Sequence, residues 1–128
     1  MGKKYLLDTN AITDYLFNSF ESNGTKFLDQ VVDSKPIISF ITQIELLSWK
    51  TEFQTEKLIK DFISISKIIY ISDEIIDNAV IIRRSKKIKL PDAIIASTAL
   101  TLDYTIITNN TKDFDNIESL KILNPYSL

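Results

Sequence analysis

The stretch Lys4-Tyr5-Leu6-Leu7-Asp8-Thr9-Asn10-Ala11-Ile12 reads as a strand, a turn and the start of a helix. Lys4 to Leu7 is short and apolar, the pattern of a buried strand. Asp8, Thr9 and Asn10 are all good helix-capping residues. Ala11 to Asn18 then carries Ile12, Tyr15 and Leu16 at helical spacing. A strand that hands directly to a helix is the building unit of an α/β fold. One helix start needs one cap, so two of these polar residues have another task.

The same alternation continues along the chain. Ser22-Asn23-Gly24 has loop chemistry, and Thr25 to Asp33 is helical through Phe27, Leu28, Val31 and Val32. Pro36 to Phe40 is a β-branched strand. Thr42 to Lys50 and Glu52 to Ser64 are helical, the second with Leu58, Ile59, Phe62 and Ile63 inward. Lys67 to Ile71 is a strand, and Ser72-Asp73-Glu74 starts a capped helix reaching about Lys86. Pro91 suits the first position of a helix, where its missing donor costs nothing. That helix, through Leu102, is apolar nearly all round, which predicts deep burial. Thr105 to Thr108 and Leu120 to Leu123 are the remaining strands. The expectation is an α/β fold of three layers, α/β/α, in a single domain over residues 1–128. Its central sheet is mostly parallel and has about five strands.

Composition narrows the chemistry. Hydrophobic residues make up 45% and charged residues 25% of the 128, ordinary for a chain with a real core. There is no cysteine and no histidine. Disulfides, thiolate metal sites, Ser-His-Asp and Cys-His catalysis are thereby excluded, with most zinc enzymes. Catalysis must rest on carboxylates, amides, hydroxyls and amines, a set that suits hard cations such as Mg²⁺ or Mn²⁺. Two glycines are too few for a phosphate-cradling loop. The first apolar run is too short for a signal peptide, and no stretch reaches the length of a membrane helix. A cytoplasmic protein is expected. Net charge is -2, yet Arg83, Arg84, Lys86, Lys87 and Lys89 form a basic cluster. It reads equally as a phosphate-binding patch or as cations favoured at a helix end.

Four acids stand at the ends of these segments: Asp8, Glu45, Asp92 and Asp113. In an open α/β sheet, ligands bind outside the carboxyl ends of the strands. Asp8 follows the first strand and Asp113 the fourth, while Glu45 and Asp92 fall in the first turns of their helices. Each has a structural alternative: a cap for Asp8 and Asp113, a dipole partner for Asp92, a solvent-facing helical residue for Glu45. Together they predict one anionic pocket. Two carboxylates ~4 Å apart repel by about 4 kcal/mol at an effective dielectric near 20, so such a cluster calls for a cation.

At these residues the chain resembles the PIN-domain nucleases, especially the VapC-type toxins of toxin–antitoxin pairs. Leu6-Leu7-Asp8-Thr9-Asn10 is similar to the first family motif, and Ser39 to Leu46, around Glu45, to the second. Leu90-Pro91-Asp92-Ala93-Ile94-Ile95-Ala96 is similar to the third and is the most specific. Thr108-Asn109-Asn110-Thr111-Lys112-Asp113-Phe114 is similar to the fourth, and Leu120 to Pro125 also fits. The resemblance implies a Mg²⁺- or Mn²⁺-dependent endoribonuclease with Asp8, Glu45, Asp92 and Asp113 as its catalytic and metal-holding acids. Thr9 and Asn110 would support metal, water or phosphate, and Asp115 could share the work of Asp113. It further implies an RNA substrate, a small antitoxin partner and a homodimer. Trp49, Phe53, Phe17 and Phe20 could line an apolar groove for an antitoxin helix; core packing is the expectation for most of them. Two other functions compete: a silent PIN-like RNA- or protein-binding module, and a phosphotransferase with Asp8 as nucleophile.

Overall fold

A computed structural model of the chain describes residues 2–17 and 22–128. The elements run β1 (Tyr5–Leu7), α1 (Thr9–Leu16), α2 (Ser22–Asp33), β2 (Ile37–Ser39), α3 (Phe40–Ser48) and α4 (Phe53–Ser64). They continue as β3 (Lys67–Ile69), α5 (Asp73–Ser85), α6 (Leu90–Leu102), β4 (Thr105–Ile107) and β5 (Lys121–Leu123). Short 3₁₀ turns cover Thr111–Phe114 and Pro125–Ser127. The five strands form one sheet in the order β3-β2-β1-β4-β5, and every pairing is parallel.

Strand alternation divides the core into two layers of packing. Leu6 and Ile106 are register partners and face one side, with Ile82 of α5, Ala93, Ile95, Ala96 and Ala99 of α6, and Phe114. Leu7 and Ile107, the next partners, face the other side, with Ala11, Ile12, Leu28, Leu46, Ile59 and Phe62 of α1 to α4. Successive strand side chains point to opposite faces, so a sheet buried on both sides needs apolar runs rather than apolar-polar alternation. This is the expected three-layer α/β/α arrangement. Burial of α6 is as complete as its sequence implies: Ala93 through Ala99 are all buried.

Several boundaries differ from the sequence reading. Helix α2 starts at Ser22 and takes in Asn23 and buried Gly24, which read as loop. Burial of Leu28 and its neighbours outweighs the poor propensity of that first turn, a cost of about 1 kcal/mol for the glycine. Helix α3 starts at Phe40, because the Ser39 hydroxyl caps it by accepting from the Ile41 N–H at 3.1 Å. Glu45 therefore lies in the second turn of α3, not the first. Pro91 is one residue inside its helix, behind Leu90. The end of α1 expected at Asn18 lies outside the described residues.

Strand order also fixes where a ligand can sit. The chain moves from β1 outward to β3, then returns to add β4 on the other side of β1. The crevice between the C-terminal ends of β1 and β4 is the topological switch point, where ligand sites of open α/β sheets form.

Candidate functional site

Asp8 sits directly at that crevice. It is 6% exposed and caps α1: its Oδ1 accepts from the Thr9 N–H at 2.9 Å. Its Oδ2 accepts from the Thr108 hydroxyl at 2.9 Å and the Asn10 side-chain amide at 3.2 Å. The backbone N–H of Asp8 bonds the Ile107 carbonyl at 2.9 Å, tying β1 to β4 at this point. The three capping candidates thus divide their work. Asp8 makes the cap. Thr9 donates its hydroxyl to Glu45 Oε1 at 2.7 Å, joining α1 to α3. Asn10 reaches the loop after β4, where its Oδ1 accepts from the Asn109 N–H at 3.0 Å and its Nδ2 donates to Thr108 at 3.1 Å.

The other acids surround this position. Asp92 is in the first turn of α6 and half-buried. Glu45 and Asp113 are exposed, and the Asn110 side-chain amide donates to Asp113 Oδ2. Two of the four, Asp8 and Asp92, have shifted proton affinities. Burial raises the Asp8 carboxyl above its ordinary 3.8, and repulsion from Glu45 and Asp113 adds to it; the Thr108 hydroxyl and Thr9 N–H oppose the rise. Burial also pushes Asp92 up to about 6, with Asp113, Asp8 and Glu45 adding repulsion and Lys89 opposing it. Among the described residues, none of the ion pairs involves any of these four acids. The edge is thus a negative surface built from oxygen donors and without an ion pair to any of the four acids, a fit to a hard cation in its chemistry. The fit in geometry is incomplete: among the described residues, no group of three or more acids is already arranged to hold a metal ion.

Other expectations fare differently. Asp115 closes the 3₁₀ turn that holds Asp113 and is not among the charges that perturb Asp8 or Asp92. The basic cluster straddles the end of α5 and the loop into α6; Lys89, at its end, is the member close enough to act on Asp92. Core packing fails for the aromatics. Phe17, Trp49 and Phe53 are exposed, the first two as an edge-to-face pair with ring centres 6.0 Å apart. Phe20 lies outside the described residues.

Sequence reasoning missed three supporting residues. Thr108 is fully buried, and its hydroxyl donates to Asp8 while accepting from the Asn110 N–H at 3.1 Å. Thr42 is fully buried with its hydroxyl 3.4 Å from that of Thr9. Asp14 accepts from the Asn109 side chain and from the Tyr126 hydroxyl, fastening the C-terminal turn to the loop after β4. A hydroxyl ending an apolar strand run was the available signal for Thr108; nothing local marked Thr42 or Asp14.

Known proteins share this fold. The sequence matches the PIN domain family over residues 5–120. It is 31% identical over 120 residues to Ribonuclease VapC1 of Methanocaldococcus jannaschii, covering 90% of this chain and 82% of that protein. A toxin–antitoxin complex from Klebsiella pneumoniae contains a chain of similar structure: TM-score 0.73, 35% identity, 96% of this chain and 98% of that one covered. VapBC2 from Rickettsia felis, bound to a promoter DNA fragment, superposes with TM-score 0.77 at 24% identity, over 94% and 97% of the two chains. At that identity the likeness concerns the fold alone.

Proposed function

We propose, from the premise that this chain belongs to the PIN-domain family, that it is an endoribonuclease and the toxin of a toxin–antitoxin pair. Its whole length, residues 1–128, acts as one catalytic domain, in the cytoplasm and as a homodimer. The observation that carries the reading is the convergence of acids at one sheet edge: Glu45 and Asp113 act on both Asp8 and Asp92, and no cationic side chain among the described residues is ion-paired to any of the four. Asp8, Glu45, Asp92 and Asp113 would hold Mg²⁺ or Mn²⁺. The ion would polarise the scissile phosphate and lower the pKa of an attacking water.

The residues around the acids have positioning tasks. Thr108 and Asn10 fix the Asp8 carboxylate; Thr9 turns Glu45 toward the same edge; Asn110 does the same for Asp113. Glu45 and Asp113, being exposed, can swing inward on their side-chain torsions. Asp92 or Asp113 would orient the attacking water and take its proton. The antitoxin partner is a small protein; the exposed Phe17–Trp49 pair offers it an aromatic anchor.

The silent-module reading keeps one observation in its favour, the lack of a ready-made group of acids among the described residues. The test is cleavage of a mixed RNA pool by the purified protein with Mn²⁺ and with EDTA, alongside calorimetry with Mn²⁺. Cleavage that stops in EDTA, with metal binding lost in Asp8→Asn, supports the nuclease. Metal binding without cleavage, or neither, favours the silent module.

A further inference from the structure

The opposite edge of the sheet, at the N-terminal ends of the strands, has a contrasting character. A cavity of about 520 Å³ opens there, lined from three parts of the fold: Lys3 to Tyr5 and Ile37 at the strand starts, Phe27, Gln30, Val31, Ser34 and Lys35 of α2 and its end, and Lys67 of β3. Lys3, Lys4, Lys35 and Lys67 all border it, all are exposed, and no acid among the described residues lines it. None of these lysines is ion-paired among the described residues. Its apolar wall includes Tyr5 and Phe27, half-buried rings in edge-to-face contact at 5.2 Å. The whole chain carries net charge -2, so this concentration of unpaired cations runs against its average.

The position of Lys35 adds a second observation. Its φ is 80°, in the left-handed region, two residues beyond the end of α2, where its N–H bonds the Val32 carbonyl at 3.1 Å. Glycine or asparagine meets that backbone demand at lower cost. Lysine there puts a charge at the mouth of the cavity. A helix-dipole role can account for Lys35 and for Lys67, which lies three residues beyond the end of α4; Lys3 and Lys4 lie immediately before β1.

We propose that this cavity is a nucleoside-phosphate site, separate from the acid edge: lysines hold the phosphate and the Tyr5–Phe27 wall stacks the base. Its volume is in the range of small-ligand pockets. Stacking on aromatic rings and phosphate neutralisation by lysine are the common elements of single-strand nucleic-acid binding. The occupant is either a free nucleotide or a nucleotide in the flank of a bound RNA. The site stands independently of the nuclease reading, because it uses none of the four acids.

The experiment uses the wild-type protein, ¹⁵N-labelled, in EDTA at low salt, where the acid edge repels phosphate. It is titrated separately with ATP and with a short 2′-O-methyl oligoribonucleotide, which resists cleavage. Saturable amide shifts at Lys4, Tyr5, Phe27, Lys35 and Lys67 are expected. Shifts with ATP identify a free-nucleotide site; shifts with the oligomer alone identify an RNA flank. Lys67→Glu should weaken binding on the order of tenfold. Lys35→Gly should weaken it too while raising Tm, since it removes charge and backbone strain together; opposite signs rule out a folding artefact. Absence of saturable shifts with both probes, shifts confined to other surfaces, or unchanged affinity in both variants overturns the proposal.

Discussion

The two edges of one sheet differ in the charge that each cavity or crevice presents to a phosphate. At the C-terminal ends of the strands, Asp8 and Asp92 both feel the charges of Glu45 and Asp113, and none of the four is ion-paired among the described residues. At the N-terminal ends, Lys3, Lys4, Lys35 and Lys67 surround a cavity with no described acid in its lining. Three residues of strand separate them, roughly 10 Å of rise. Because all the strands run in parallel, each edge collects the same kind of chain end: strand-to-helix turns on one side, helix-to-strand turns on the other. Charge placed consistently at those turns becomes charge on one edge. The acid edge needs a cation before a phosphate can approach; the lysine edge needs none.

The sharpest way to break this contrast is to remove single acids. Asp8→Asn and Asp92→Asn should each lower Mn²⁺-dependent RNA cleavage by a factor on the order of 10³ or more, equivalent to about 4 kcal/mol, with circular dichroism unchanged. Activity near wild type in either variant breaks the assignment. Next in size is the response to metal. Mn²⁺ at about 100 times its dissociation constant should stabilise the wild type by roughly 2.7 kcal/mol, read as a rise in Tm, and the gain should vanish in Asp8→Asn. Without metal, Asp92→Asn should raise Tm, because it removes the burial cost of a half-buried charge and the repulsion from its neighbours.

Thr108→Val tests the support beneath Asp8. Losing a hydrogen bond to a charged, buried group should cost roughly 1.5–3 kcal/mol in urea unfolding and raise the Asp8 carboxyl further. A smaller, graded effect comes from proton linkage. Asp92 keeps its proton up to about 6 in the folded protein, against 3.8 ordinarily. Between those values the folded state binds more protons than the unfolded, so metal-free stability should fall as pH rises through the window and level off above it. Mn²⁺ affinity should rise over the same window, since the ion displaces that proton. The smallest change belongs to the other edge. Lys121→Ala breaks an ion pair to Asp103 at 2.8 Å between side chains 57% and 83% exposed, and thermal melts should shift by less than about 1 kcal/mol equivalent.

Much of this was legible in the residues themselves. The apolar runs of β1 and β4 and the all-round apolar surface of α6 announced a sheet buried on both faces. The surplus of capping residues at Asp8, Thr9 and Asn10 announced that two of them were engaged elsewhere. The misreadings are of two kinds. Ser22-Asn23-Gly24 has the local chemistry of a loop but is helical because α2 packs its Leu28 into the core. Phe17, Trp49 and Phe53 have the composition of a core and stand on the surface. Local propensity is worth tenths of a kcal/mol per residue, and burial of a large side chain is worth more.

By itself, the order of residues determined the alternation of strand and helix, the exclusion of imidazole and thiolate chemistry, and the presence of acids at segment ends. Those come from side-chain chemistry and from periods of two and 3.6 residues, which are local. Only the tertiary structure decided that Thr9 turns to Glu45, that Thr108 rather than water meets Asp8, and that four lysines share one cavity. Such pairings join residues up to 100 positions apart; strand order and register bring them together, and neither is written in any short stretch of chain.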